Sequence, residues 1–166
     1  MAITRLNNNS ITSITALPSA VAVANTPAFL VQRDSSNQSI SASTWTKVQY
    51  NSTVYDTDSA YDITTNFRFT VPSGKGGKYY FHAQIYTGNA QAGDRFSDMQ
   101  FYKNGSGTHG YRSFYTTGSR NWFPAIDTVI NLSAGDYVEV FHRQEAGELI
   151  IQPATYITFF TGYKLI

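Results

Sequence analysis

The chain has 166 residues, 42% of them hydrophobic, which is enough for one domain with a real core and argues against disorder. Its 14% of charged residues leave a net charge of +1, so no field favours nucleic acid or an anionic membrane, and the lack of cysteine excludes disulfides, thiolate nucleophiles and thiolate zinc sites. Aromatic residues reach 15%, a share that suits pleated sheets better than helices.

Residues 1–27 differ from the rest. They hold no aromatic residue and one charge, Arg5. No apolar h-region marks a signal peptide there, and no apolar run in the chain approaches a membrane span. Ile11, Ile14 and Leu17 recur every third residue, a spacing that fits neither strand nor helix well. Pro18 and the β-branched residues weigh further against a helix. Two readings stand: a disordered tail, or an extended arm that orders against a neighbour. On the second, Ile3, Leu6, Ile11, Ile14 and Leu17 each fill a small pocket on a partner.

From residue 28 onward the pattern is strands and turns, giving a second unit over 28–166. Phe29-Leu30-Val31 is a short apolar strand, and 34–44 is a polar Ser/Asn loop. Over 45–50, Trp45, Lys47 and Gln49 alternate with Thr46, Val48 and Tyr50, so either face could be inward. Phe67, Phe69 and Val71 share a face, and Pro72 ends that strand. Gly74, Gly76 and Gly77 form a turn. The strand that follows, 78–86, places Tyr79, Phe81, Ala83 and Ile85 on one face and Tyr80, His82, Gln84 and Tyr86 on the other. The first set is core material. The second is aromatic with polar tips, which suits a subunit interface, though tyrosines leaning on a loop would read the same way.

Residues 98–103 form a strand closed by Asn104-Gly105, the strongest short hairpin signal, with 111–115 as its partner. Strands at 126–132 and 137–143 flank the turn Ser133-Ala134-Gly135-Asp136. The closing strand, 155–163, is apolar on both faces, with Ile157 and Phe159 on one and Tyr156 and Phe160 on the other. Such a strand belongs in the middle of a sheet.

Catalytic chemistry is hard to assemble from these residues. His82, His109 and His142 have no metal-ligand spacing, and His142 shares a strand face with Val138 and Val140, as a packed histidine would. Asp56, Asp58 and Asp62 offer oxygen ligands but lack the glycine and distal glutamate of a calcium loop, so a solvated acidic turn is expected. No cofactor and no metal site is expected. A binding surface is more plausible: Tyr111, Arg112 and Tyr115, followed by Arg120 and Trp122, bring aromatics and arginines near loop ends, a set suited to sugar rings. Burial of Trp122 beside Pro124 is the competing reading.

The order of these motifs resembles the C1q/TNF-like domain. Phe67-x-Phe69-Thr70-Val71-Pro72 precedes Gly77-x-Tyr79-x-Phe81, Leu132 stands before Gly135-Asp136-x-Val138, and Phe160-x-Gly162-Tyr163 closes the chain. The turn between Pro72 and Gly77 is about two residues longer than is usual in that family, a tolerable change in a hairpin tip. The resemblance implies an all-β, ten-stranded antiparallel jelly-roll sandwich, preceded here by an extended N-terminal arm. It also implies a homotrimer that binds other surfaces and is not an enzyme. The trimer interface would then draw on Tyr80, His82, Tyr86, Tyr156 and Phe160, and His82 could meet its symmetry copies. A second resemblance covers the opening Ala2-Ile3-Thr4-Arg5-Leu6-Asn7-Asn8-Asn9-Ser10-Ile11-Thr12-Ser13-Ile14, which looks like a leader on virion and tail-associated proteins of marine bacteriophages. It implies a virion location, docking to other virion proteins through the arm, and a tail fibre or tip head that binds a host surface glycan or protein. A capsid decoration or head-fibre protein is the alternative, and a polysaccharide-degrading tailspike a further one.

Overall fold

A computed structural model of the protein describes residues 26–88, 95–116, 121–145 and 149–166. Residues 1–25 of the predicted arm, with Ile3, Leu6, Ile11, Ile14 and Leu17, lie outside the described residues, as does Arg120.

Among the described residues the fold is all-β. The first strands are β1 (Ala28–Gln32), β2 (Gln38–Ile40), β3 (Thr46–Lys47), β4 (Ser52–Asp56) and β5 (Tyr61–Asp62). Next come β6 (Arg68–Thr70), β7 (Gly77–Gln84), β8 (Thr87–Gly88), β9 (Arg95–Lys103) and β10 (Ser106–Thr116). The last are β11 (Ala125–Leu132), β12 (Tyr137–Gln144), β13 (Leu149–Ile151) and β14 (Phe159–Lys164). One sheet has the order β11-β7-β14-β1-β4, and the facing sheet β10-β9-β12-β6-β5, with β3 also paired to β12. A small third sheet, β2-β13-β8, completes the sandwich. All these strand pairings are antiparallel. The jelly-roll expectation holds: the two facing sheets carry five strands each along their paths, with the short β3 and the small third sheet beside them.

Alternation in β7 carries through: Tyr79, Phe81, Ala83 and Ile85 are fully buried. Phe29, Phe81 and Phe160 from the five-stranded sheet meet Phe69 and Phe101 from the other sheet. Ring centroids lie 4.8 Å apart for Phe29–Phe69, 5.0 Å for Phe29–Phe160 and 6.1 Å for Phe81–Phe101. Each such pair contributes about 0.5–1.5 kcal/mol beyond the area it buries. Gly162 is where these rings close on the backbone. A Cβ there would lie 2.5 Å from Phe81 Cδ1 and 2.9 Å from Phe29 Cε1, so the closing motif requires glycine.

The hairpin at Asn104-Gly105 forms as its sequence indicates. Both residues have positive φ, 51° and 78°, as a type I′ turn demands. Asn104 then ties this tip to the next turn: its Nδ2 donates to Asp136 Oδ1 at 2.8 Å, and Tyr137 N–H donates to its Oδ1 at 2.9 Å. The 133–136 turn links β11 in one sheet to β12 in the other, so it joins the two layers of the sandwich.

Three readings need correction, and one open choice is settled. The 34–44 stretch is not all loop: Ile40 is fully buried in β2, a lone apolar residue that no periodicity announces. The face over 45–50 is settled in favour of Val48 and Tyr50, which are buried. Phe67 leaves the alternation, because its φ of 48° turns it out of the strand before Arg68. In the closing segment, strand geometry begins only at Phe159. Residues 155–157 form a turn in which Ile157 and Thr158 N–H both donate to Ala154 O, and Tyr156 has a φ of 59°.

Candidate functional site

Two surfaces stand out, one on the outer side of each large sheet. The first is the outer face of β11-β7-β14-β1-β4. Register places Tyr80 between Val129 and Tyr163, and His82 between Asp127 and Thr161. The Tyr80 and Tyr163 rings are 5.4 Å apart, and His82 lies 5.4 Å from Phe159. Val129 is 51% exposed, Tyr163 45% and Tyr55 47%. Leu30, opposite Thr161 and Tyr55, extends the same face. The face combines aromatic and aliphatic side chains with hydroxyl and imidazole tips, and Lys78, Asn131 and Asp127 lie along its β11–β7 side, a mixture that an interface centred on tyrosine can use.

Of the residues expected at a trimer interface, Tyr80 and His82 lie on this face, half-buried. Tyr86, just beyond β7, stacks on Phe123 at 5.2 Å, so a loop of its own chain covers it. Tyr156 projects from the 155–157 turn at 64% exposure, away from the strand on which it was expected. Phe160 is a correction. It pairs with Ala83 and Val31 on the inner side of the sheet and is fully buried in the core.

The second surface is a cleft of ≈ 350 Å³ on the outer side of the six-stranded sheet. Neighbouring strands supply its floor: register sets Asp98 of β9 between Arg143 of β12 and Ser113 of β10. Arg143 Nε donates to Asp98 Oδ2 at 3.0 Å, and its NH2 group donates to the same oxygen. The Tyr111 hydroxyl donates to Asp98 Oδ1 at 3.1 Å. Arg143 lies over the Trp45 ring, 5.2 Å from its centre, and Trp45 meets Tyr111 and Tyr102 at 6.3 and 6.1 Å. Phe96 lines one side, and Tyr115, with its ring 4.9 Å away, lies beside it; both are about half exposed. Glu145 stands at the rim.

Electrostatics fix this arrangement. Burial pushes the Asp98 carboxyl up, but hydrogen bonds from Ser113, Arg143 and Tyr111 and the Arg143 charge outweigh it, and its pKa falls below the usual value. Burial and the bond to Asp98 raise the Tyr111 phenol. Beneath the cleft, on the inner face of β12, His142 is fully buried, with Nε2 against Ser97 Oγ and Nδ1 without a partner. Burial lowers its pKa to about 3, which keeps the ring neutral.

The aromatic–arginine cluster expected from the sequence is therefore rearranged. Tyr111 and Tyr115 share the outer face of β10. Arg112 falls on the opposite face, opposite Met99, and Arg143 supplies the guanidinium instead. Trp122 is a correction as a surface ligand residue: it is half-buried, edge-on to Phe114 at 6.2 Å, and its carbonyl accepts from Thr87. Trp45, Asp98 and Arg143 were not anticipated as site residues.

The acidic loop folds on itself. Asp62 accepts from Thr64, Thr65 and Asn66 N–H groups, and Asp56 from Asp58 and Tyr61 N–H groups. No cluster of three or more metal-ligating side chains occurs among the described residues.

The architecture defines a C1q/TNF-like jelly roll. It superposes on the globular domain of zebrafish complement 1qA protein with a TM-score of 0.52, 20% identity and coverage of 84% of this chain and 98% of that one. It also matches the Eiger TNF of S. frugiperda, with a TM-score of 0.50, 18% identity and coverage of 85% and 93%. At that identity the likeness shows the fold. No family model and no curated protein sequence matches the chain.

Proposed function

We propose that this chain is a non-enzymatic bacteriophage virion protein: a trimeric head at a tail fibre or tip, docked through residues 1–27, that recognises a host surface glycan or protein. The observation that carries the reading is the outer face of the five-stranded sheet. Tyr80, Tyr163, Val129, Tyr55 and Leu30 bring aromatic and aliphatic side chains together there, with Val129, Tyr163 and Tyr55 about half exposed, and further copies of the chain would cover them. The virion part of the reading comes from the leader sequence in residues 2–14.

The cleft supports binding over turnover. Glycoside hydrolysis generally uses a pair of available carboxylates. Both Asp98 oxygens are engaged by protein donors, which leaves the cleft with Glu145 alone. That weighs against a polysaccharide-degrading tailspike.

Antibody labelling of intact particles tests the location. Label at tail fibres or tips is expected. Label on the capsid shell would replace the tail reading with the decoration alternative, and unlabelled particles would overturn the virion assignment.

A further inference from the structure

The cleft over β9, β10 and β12 brings exposed aromatic area, a braced cation and one free carboxylate together. Asp98 itself has nothing left to offer a ligand. A carboxylate has about four acceptor sites. Arg143 fills two of them, Tyr111 one and Ser113 one. Asp98 is thus a positioning residue that holds Tyr111 and Arg143 in one geometry. The Trp45 ring braces the same guanidinium from its face. Asp98 takes two of the five guanidinium N–H donors, and the Arg143 side chain is 41% exposed, so its outward donors face the cleft.

Charge narrows the ligand. Arg143 cancels Asp98, which leaves Glu145 as the net charge of the site. Glu145 is anchored by its backbone: its N–H donates to Phe96 O, and its carbonyl accepts from Ser43 Oγ, while the side chain stays exposed. An acidic sugar would meet that carboxylate with Arg143, the one cation among the described lining residues, already neutralised. A neutral ring with neighbouring hydroxyls meets a donor and an acceptor together. One hydroxyl accepts from Arg143, the next donates to Glu145, and the apolar side of the ring lies on Phe96 and Tyr111, which are 50% and 55% exposed. The volume is near the lower end of small-ligand clefts, so one or two sugar rings would fill it.

We propose that this cleft binds a neutral hexopyranose unit of a surface glycan, with Phe96 and Tyr111 as the stacking platform and Arg143 and Glu145 as the hydroxyl partners. This rests on the host-surface reading above and narrows it to one site and one sugar class.

The full chain is applied to an array of neutral hexopyranose oligosaccharides alongside uronate and sialyl oligosaccharides. Binding to neutral sugars is expected, weakened about tenfold in Tyr111→Ala and in Glu145→Gln with the far-UV spectrum unchanged. Glu145→Gln is the safer variant, because the side chain is exposed and its loss unpairs nothing buried. Binding only to acidic sugars overturns the ligand class. Neutral binding that both variants leave intact overturns the site. Should the array stay blank, the same protein is tested on bacterial cells before and after periodate cleavage of vicinal diols. Adhesion that survives periodate overturns the glycan proposal but keeps the host-surface reading, with a protein receptor. Adhesion lost on periodate keeps the glycan reading, and neutral hexose glycosides that then fail to compete for untreated cells while uronates or sialosides do compete overturn the neutral hexopyranose assignment; no adhesion to any cell overturns both proposals.

Discussion

His142 makes the stability of this fold depend on pH in a way that one substitution should remove. The ring is fully buried between the sheets, and burial lowers its pKa from 6.5 to about 3. The unfolded chain takes up a proton at this residue below about pH 6.5, while the folded chain stays neutral until near pH 3. Between those limits the unfolded state binds more protons, so stability is full above the upper limit and falls as the pH drops. Each pH unit inside the window costs up to about 1.4 kcal/mol. Moving from about pH 7 to about pH 4.5 therefore removes roughly 2–3 kcal/mol through this residue alone. His142→Gln has no proton to gain. It will lose some stability at neutral pH, because its fit against Ser97 differs. The readout is the difference between the two pH values, measured by urea unfolding at one fixed protein concentration so that association does not vary. The wild type should lose roughly 2–3 kcal/mol more than the variant. Equal losses would refute the reasoning, since the ring would then be hydrated enough to charge within the fold.

Other outcomes follow from the same geometry. Gly162→Ala drives a methyl into Phe81 and Phe29 and should lower unfolding stability by about 1–3 kcal/mol, seen as a lower urea midpoint. Asp136 accepts from Asn104, Ser133 and Lys103, which lower its carboxyl pKa to about 2. Its contribution is present above the ordinary carboxylate value near 4 and lost as the pH falls towards 2, so Asp136→Asn should flatten acid unfolding in that window. A chain lacking residues 1–27 should stay soluble and trimeric yet be absent from purified particles; normal packaging, or monomers, would show that the arm has been misread.

Much of the sandwich is legible locally, because a strand with one wet face writes its period into the sequence. Tyr79, Phe81, Ala83 and Ile85 against Tyr80, His82 and Gln84 is such a case, and Asn104-Gly105 announces its own turn. Phe160 was misplaced because its strand is apolar on both sides, so alternation does not say which side is inner. Pairing with Ala83 and Val31 decides it, and pairing is a property of three strands. The cleft was half visible for a similar reason. Tyr111 and Tyr115 lie in one strand and stand out by composition. Trp45, Asp98 and Arg143 are brought together only by cross-strand register, and an acidic residue beside a distant arginine carries no local signature. Arg112 looked like the natural partner of Tyr111 by adjacency, but neighbours in a strand face opposite ways.

The central claim is that the outer face of the five-stranded sheet is where copies of this chain meet. Sedimentation equilibrium of the full chain, beside a Val129→Asp/Tyr163→Asp variant, tests it most directly. Both side chains are about half exposed and outside the core, so the charges should leave the fold intact. The account predicts three times the chain mass for the wild type and a folded monomer for the variant. A monomeric wild type, or a variant that still forms trimers, would contradict it.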